Sequence, residues 1–352
     1  MRKYLSVTYI ALDPLKYPRI EKIACSLKKC KGIRFNVMIP RFKFVYRGGK
    51  IGRLFSALLN YFIILFQISC TNADFLWVAN CPDILVLPLI LRRKRYILEY
   101  RSPWPIEVER EFGIKQLARF ANFFERLALK HAWIITLTTS KLIDRVRIFN
   151  KPVFVIPNYP LSNFGKSLIS REEFRKQYGY SEKDKIVLFV GKLTSIEGAD
   201  LLPKIISNCL KREDRIVFWI VGDGPLYKTL KVFAGKFPGR VKLFGWQSHE
   251  RIPNFIEAAD VCIAPRHESP YSIFYNEEGV SKISEYMFFK KPIVACGVAE
   301  SSEYLLVKED EMADGILKAL HSEVPCSKRR TWEEYSEKRI HEMFNLILSG
   351  KI

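Results

Sequence analysis

The 352-residue chain predicts an α/β protein built as two doubly wound parallel-sheet, Rossmann-like domains. Short, continuously apolar runs alternate with longer stretches of helical period, the pattern of parallel strands covered by helices on both faces. Five or six such runs fall in each half, which suits two doubly wound sheets better than one large one. Between the halves, "IPNYPLSNFGKS" (156–167) has two prolines, two asparagines and a glycine but no periodicity, and reads as a linker. With 48% hydrophobic residues the chain can bury a sizeable core and is not a disordered one.

In the first half the strand candidates are "YLSVTYIAL", "RFNVMIP", "FLWVAN", "RYILEY", "WIITLT" and "VFVIPN". In the second they are "KIVLFVG", "RIVFWIVG", "VKLFGW", "VCIAP" and "PIVACG". Helical patterns lie between them at 19–30, 111–130, 199–210, 225–236, 249–259 and 280–289, and an amphipathic helix closes the chain at 331–348. The expected domains are 1–160, 161–330 and a terminal helix, 331–352, returning to the first domain. Leu54–Ala73, "LFSALLNYFIILFQISCTNA", has no charge over 20 residues. Its polar residues shorten it below a spanning segment, so the expectation is a helix of roughly 16–18 residues packed in the core. The flanking Arg47, Lys50 and Arg53 keep a monotopic role in view.

The net charge is +20 and lies mostly in one half. Residues 1–150 hold 27 Lys+Arg against 10 Asp+Glu, and residues 151–352 hold 30 against 27. A basic half points to an anionic partner such as a membrane face, nucleic acid or a phosphorylated substrate. No arginine-rich helix, RNP-type strand or zinc module argues for nucleic acid. The eight cysteines (25, 30, 70, 81, 209, 262, 296 and 326) form no C-x-x-C pair and no metal spacing, and read as buried thiols in a reducing compartment. The first residues lack the length and cleavage site of a signal peptide.

In open parallel sheets ligands bind beyond the carboxyl ends of the strands, so the strand-to-helix turns are where chemistry is sought. "VGKLTSIEG" brings Gly191, Lys192, Thr194 and Ser195 to such a turn, where backbone amides and a cation suit a phosphate. "VGDGPL" places Gly222 and Gly224 at another; alone it reads more readily as an ordinary tight turn. "YNEEGVSKISEYM" puts Glu277 ahead of a helix and Lys282 and Glu285 on it, with Gly279, Val280 and Ser281 at its start. On one continuous helix Glu277 and Glu285 would stand about 12 Å apart. That exceeds the roughly 5–9.5 Å of a glycosidase pair and suits the two ends of an elongated ligand. A carboxylate accepts two hydrogen bonds from a diol, and a helix start with a lysine meets anionic charge. A diol–diphosphate–diol ligand is a nucleotide sugar; a solvated helix face with a Lys282–Glu285 pair fits the spacing equally well.

The order of these motifs resembles the retaining GT-B glycosyltransferases of family four. "VGKLTSIEG", "IVGDGPL", "LFGW", "AADVCIAP", Glu277 and Glu285 with seven residues between them, and "SEYMFFKKPIVAC" follow that family's sequence over about 110 residues. "DPLKYPRIEKIACSL", "ADFLWVANCPDILVLPLIL", "FFERLALKHAWIITLTTSKLIDRV" and "VFVIPN" resemble its first half more loosely. The resemblance implies a GT-B architecture of two domains facing a cleft. It further implies transfer of a sugar with retention from a UDP- or GDP-sugar held by the second domain. No metal or other cofactor is expected. The matching positions put Glu277 by the donor sugar and Glu285 on the ribose diol. Lys282 and the amides of Gly279–Ser281 would meet the diphosphate, with Lys192 in place of its arginine. Three departures stand out. Glu197 occupies the position of a lysine and would oppose a diphosphate if it faced the site. Lys192 loses an arginine's fork. "LEYRSPWP" offers Arg101 and Ser102 where many members have a histidine, so Arg101 becomes the candidate for an anionic acceptor or developing phosphate charge.

These readings give an enzyme of the hexosyltransferase class, with catalytic Glu277, Lys192 and Arg101. Glu285, Lys282, Gly279, Val280, Ser281, Gly191, Gly222 and Gly224 are its donor-binding residues. The acceptor would be a lipid-linked glycan or polysaccharide of the cell envelope, reached at the inner, anionic face of the membrane. A catalytically decayed scaffold and a nucleotide-sugar epimerase on the same fold are the alternatives.

Overall fold

A computed structural model describes residues 4–10, 18–39, 49–80, 82–166, 168–321 and 328–352, with the side chains of all but 49–58 and 110–112. The chain divides into two compact units, Met1–Pro157 with Glu334–Ile352, and Asn158–Glu333. Both are doubly wound α/β units.

The first unit holds β1 (Leu5–Ile10), β2 (Ile33–Met38), β3 (Phe75–Ala79), β4 (Tyr96–Tyr100), β5 (Ile134–Leu137) and β6 (Val153–Val155). They pair in the order β2-β1-β3-β4-β5-β6, every described pairing being parallel. The second holds β7 (Lys185–Val190), β8 (Ile216–Val221), β9 (Val241–Gly245), β10 (Val261–Ala264), β11 (Ile293–Ala295) and β12 (Leu305–Leu306). Their order is β12-β11-β10-β7-β8-β9, again parallel. All eleven strand expectations fall on observed strands; β12, two residues long, is the one they omit.

The second sheet shows why its strands read as unbroken apolar runs. Val187, Phe189, Phe218, Ile220 and Ile263 pack into a core on one face, while Ile186, Leu188, Val217, Trp219 and Cys262 pack on the other. With both faces covered, no position along the strand is free to be polar.

Four expectations change. The uncharged segment is the greater part of a longer helix, Gly49–Cys70, with residues 71–73 beyond its end. Ile64 and Ile68 are fully buried, but Phe62 and Phe66 are 73% and 71% exposed, so the helix is not enclosed in the core. The pattern at 111–130 is two helices, Trp104–Phe112 and Lys115–His131, separated at Gly113, whose left-handed φ of 67° ends the first. The closing helix is regular only over Lys338–Leu348, after a π-helical turn at Glu333–Glu337. Cys209, Cys262 and Cys296 are buried, whereas Cys25 and Cys70 are exposed. Cys81, Cys326, Arg47 and the "DPLKY" stretch lie outside the described residues, as do the side chains of Lys50 and Arg53.

Candidate functional site

The second sheet reverses its order between β7 and β10, which are hydrogen-bonded neighbours although β8 and β9 intervene in sequence. Ligands of open α/β sheets collect beyond the carboxyl ends of strands at such a point. The turns that follow β7, β8 and β10 meet there, backbone to backbone. A Cβ on Gly222 would lie 1.8 Å from the Gly191 carbonyl oxygen, and one on Gly224 would lie 2.6 Å from that of Leu193. Gly198, at φ +72°, leaves only 2.2 Å between such a Cβ and the Pro265 carbonyl oxygen. These glycines let the turns touch, and the contact sets the neighbouring side chains against one another.

Glu197 is the centre of that contact. It ends the 3-10 turn Ser195–Glu197, and its own N–H donates to the Thr194 hydroxyl oxygen at 3.4 Å. Arg266 Nη2 donates to its Oε1 at 2.6 Å, and Lys282 Nζ stands 2.9 Å from its Oε2. Burial works against the Glu197 carboxylate, but Lys282 and then Arg266 outweigh it and hold its pKa down at about 2. Burial also lowers the Lys282 ammonium below the usual lysine range, with Glu197 drawing it partly back. That ammonium lies 4.4 Å from the Phe189 ring centre, in space that Gly191 leaves open, since a Cβ there would be 2.8 Å from Nζ. Among the described residues Lys282 Nζ has no side-chain or backbone acceptor besides this contact with Glu197. Lys192, on the same turn as Glu197, is exposed.

Lys282 and Glu285 ride on the helix Ser281–Phe288, which Ile283, Tyr286 and Met287 fix in the core. Val190 N–H, at the end of β7, donates to the Tyr286 hydroxyl at 2.9 Å and fixes the helix to that strand. No side chain caps this helix, but the N–H groups of Gly279 and Val280, expected to meet a diphosphate, both donate to the Asn276 carbonyl oxygen, at 3.2 and 2.8 Å, and that of Ile283 donates to Val280. Among the described residues only the Ser281 and Lys282 amides of the helix start lack an acceptor and are left for a ligand or water. Glu285 is not paired with Lys282: its Oε1 lies 3.0 Å from His249 Nε2, and the His249 ring lies 5.1 Å from that of Phe164. Glu277 precedes the helix and is 8% exposed. Its Oε2 is buried without a hydrogen-bond partner among the described residues, and its Oε1 is 3.6 Å from Arg330, which also binds Glu303 at 2.6 Å and the Tyr159 hydroxyl at 3.0 Å.

The second unit thus carries Gly191, Lys192, Gly222, Gly224, Glu277, Gly279, Val280, Ser281, Lys282 and Glu285 on the turns and helix around one switch point. Arg101 belongs to the first unit. It donates from Nη2 to the Tyr9 hydroxyl at 2.5 Å and pairs with Glu99 at 3.0 Å, while Arg19 also binds Glu99. Burial resists ionisation of Glu99, yet Arg101 and Arg19 hold its pKa at about 2. Three residues of the site escaped the sequence reading: Arg266, His249 and Arg330. Only Arg266 left a signal, its position directly after an apolar strand at the switch point. Among the described residues no group of three or more His, Cys, Asp or Glu is placed to hold a metal ion.

Residues 170–339 match the family model described as "Glycosyl transferases group 1". Over 127 residues the chain is 31% identical to the alpha-D-kanosaminyltransferase of Streptomyces kanamyceticus, covering 36% of this chain and 31% of that protein. It is 27% identical over 125 residues to the phosphatidylinositol N-acetylglucosaminyltransferase GPI3 subunit of Saccharomyces cerevisiae, covering 27% of it. The chain therefore spans less than a third of the length of these relatives. Among solved structures, Anabaena HepE in complex with UDP-glucose is similar with a TM-score of 0.69 at 15% identity, covering 99% of this chain and 100% of that one. A UDP-N-acetylglucosamine 2-epimerase is similar with a TM-score of 0.59 at 14% identity, covering 99% and 98%. Likeness at such identity speaks for the fold, two Rossmann-like units as in GT-B glycosyltransferases.

Proposed function

From the match of residues 170–339 to the glycosyl transferases group 1 model, we propose that this protein moves a sugar from a UDP- or GDP-sugar to a lipid-linked or polysaccharide acceptor, with retention of anomeric configuration. The observation that carries this reading is the uncapped helix start with a buried lysine, followed one turn later by a carboxylate, at the switch point of a parallel sheet. The helix amides and Lys282 bind the diphosphate, and Glu285 accepts hydrogen bonds from the ribose diol after letting go of His249. Glu277, with a buried oxygen that has no partner, faces the donor sugar. No metal takes part. Bond cleavage leaves charge on the departing diphosphate, and preorganised cations and amides stabilise that charge without reorganising at the moment of reaction. Lys192 adds to this cationic set, and Arg101, in the first unit, is the residue assigned to an anionic acceptor.

The acceptor side of the proposal is a peripheral enzyme at the inner membrane face. Its support is the basic first half, the exposed Phe62 and Phe66, and two recesses of the first unit. One, of about 620 Å³, is apolar and lined by Met38, Phe62, Ile63 and Phe66. The other, of about 470 Å³, is lined by Arg93, Lys94, Arg95, His131 and Lys151. No donor residue lines either one. No helix among the described residues is long and apolar enough to cross a membrane.

A thermal-shift screen against UDP- and GDP-sugars tests the donor reading, since a ligand that binds only the native state raises the melting temperature. At least one should stabilise the wild type. Glu285→Ala should lose most of that shift. Glu277→Ala should keep nucleoside-diphosphate affinity and lose turnover. Full activity in both variants would remove the site assignment. An epimerase on this fold is the second reading, favoured by structural likeness alone; turnover of the nucleotide sugar without any acceptor would select it.

A further inference from the structure

The strongest cation of the candidate site already has an anion beside it. Glu197 lies 2.9 Å from Lys282 Nζ and 2.6 Å from Arg266 Nη2, and this carboxylate is itself mostly buried, its side chain 23% exposed. It is fixed there by the chain around it: Thr194 caps its turn and Gly198 seats that turn against Pro265. A phosphate oxygen that bound the same ammonium would stand within roughly 6 Å of the carboxylate, close enough for like charges to repel. The repulsion grows with ligand charge. A sugar diphosphate diester carries two negative charges; the free nucleoside diphosphate carries nearly one more at neutral pH, because its terminal phosphate ionises a second time near pH 6.

Resting on the donor reading above, we infer that Glu197 is a specificity-determining residue that weakens the site for the free nucleoside diphosphate more than for the nucleotide sugar. Lys282 and Arg266 keep it in place, and their two charges against its one leave the cluster net positive and able to hold the donor. After transfer, the product bears the extra charge on the phosphate left by the sugar, and Glu197 favours its departure. Arg266 gives the cluster the second cation that position 197 does not supply.

The test is calorimetric titration of wild type, Glu197→Gln and Glu197→Asp with two pairs of probes, UDP with UDP-glucose and GDP with GDP-mannose. For the pair that binds, Glu197→Gln should tighten the sugar diester roughly threefold and the free diphosphate roughly tenfold, as removal of one nearby charge predicts. The affinity ratio of diphosphate to diester should therefore rise about threefold, and product inhibition should strengthen with it. Glu197→Asp keeps the charge and should hold the wild-type ratio. Circular dichroism and a melt on each variant establish that it is folded. An unchanged ratio in Glu197→Gln, or an equal rise in Glu197→Asp, overturns the inference and leaves the donor reading standing. A folded wild type that binds none of the four probes overturns the donor reading, and the inference with it.

Discussion

At the scale of residues the candidate site is a set of ion pairs, with Glu197 between Lys282 and Arg266 and with Glu285 beside His249. The spacing of Glu277, Lys282 and Glu285 is written in thirteen consecutive residues, and local geometry alone puts the last two on one helix. Their partners come from far along the chain: Glu197 to Lys282, His249 to Glu285, Arg330 to Glu277. No local pattern encodes such contacts, so Glu197 read as a bare repulsive charge when it is in fact held between two cations. That arrangement has a pH signature. Glu197 has a folded pKa of about 2, below the ordinary glutamate value near 4.5, because Lys282 and Arg266 overcome the opposing effect of burial. Its contribution to stability is therefore fully present above about pH 4.5 and is lost as pH falls toward 2. Thermal melts of wild type and Glu197→Gln should show the variant less stable at pH 6–7, with the gap closing between pH 4.5 and 2. A gap that stayed constant through that window would mean the pair adds nothing.

At the scale of elements, strands were read well because both faces of each sheet are covered, leaving a run of apolar residues that needs no knowledge of the neighbours. β12 failed that reading because two leucines make no pattern. The helix Gly49–Cys70 was recognised as a helix, but its surroundings were not: lack of charge does not say which face is covered, and Phe62 and Phe66 turned out to lie outside. The glycine turns were legible as turns. Their purpose, the touching of one backbone by the next, was not. Gly198→Ala should be costly on two counts, a left-handed φ of +72° and a Cβ 2.2 Å from the Pro265 carbonyl oxygen. Gly239 shares the first at φ +75° but has nothing within 4 Å of such a Cβ. Urea unfolding should show Gly239→Ala destabilised by about 1 kcal/mol and Gly198→Ala by about 3 kcal/mol or more. Equal losses would mean the turns can separate without penalty.

For the whole molecule, the one property that neither fold nor donor chemistry requires is the uneven charge. An excess of 17 positive charges in residues 1–150 against 3 in the rest directs the membrane proposal to the first part alone. Each basic group near an anionic bilayer contributes about 1 kcal/mol, and the effect fades within a Debye length. Apolar side chains act otherwise: Phe62 and Phe66 would bury ring area at the interface, and salt does not screen that. The two recesses separate these contributions. Arg92, next to Arg93 of the basic recess, donates from Nη1 to the carbonyl oxygen of Thr71, which lines the apolar one, at 3.2 Å. Flotation with vesicles of zwitterionic and of mixed anionic phospholipid should show strong binding only to the anionic ones at low salt, with part of it surviving high salt. Arg93→Glu with Lys94→Glu should lower low-salt binding tenfold or more, at about 1 kcal/mol per charge removed. Phe62→Ser with Phe66→Ser should instead abolish the part that survives high salt. Equal binding to neutral and anionic vesicles, unaffected by either pair of changes, would sink the membrane reading while leaving the donor site as it stands.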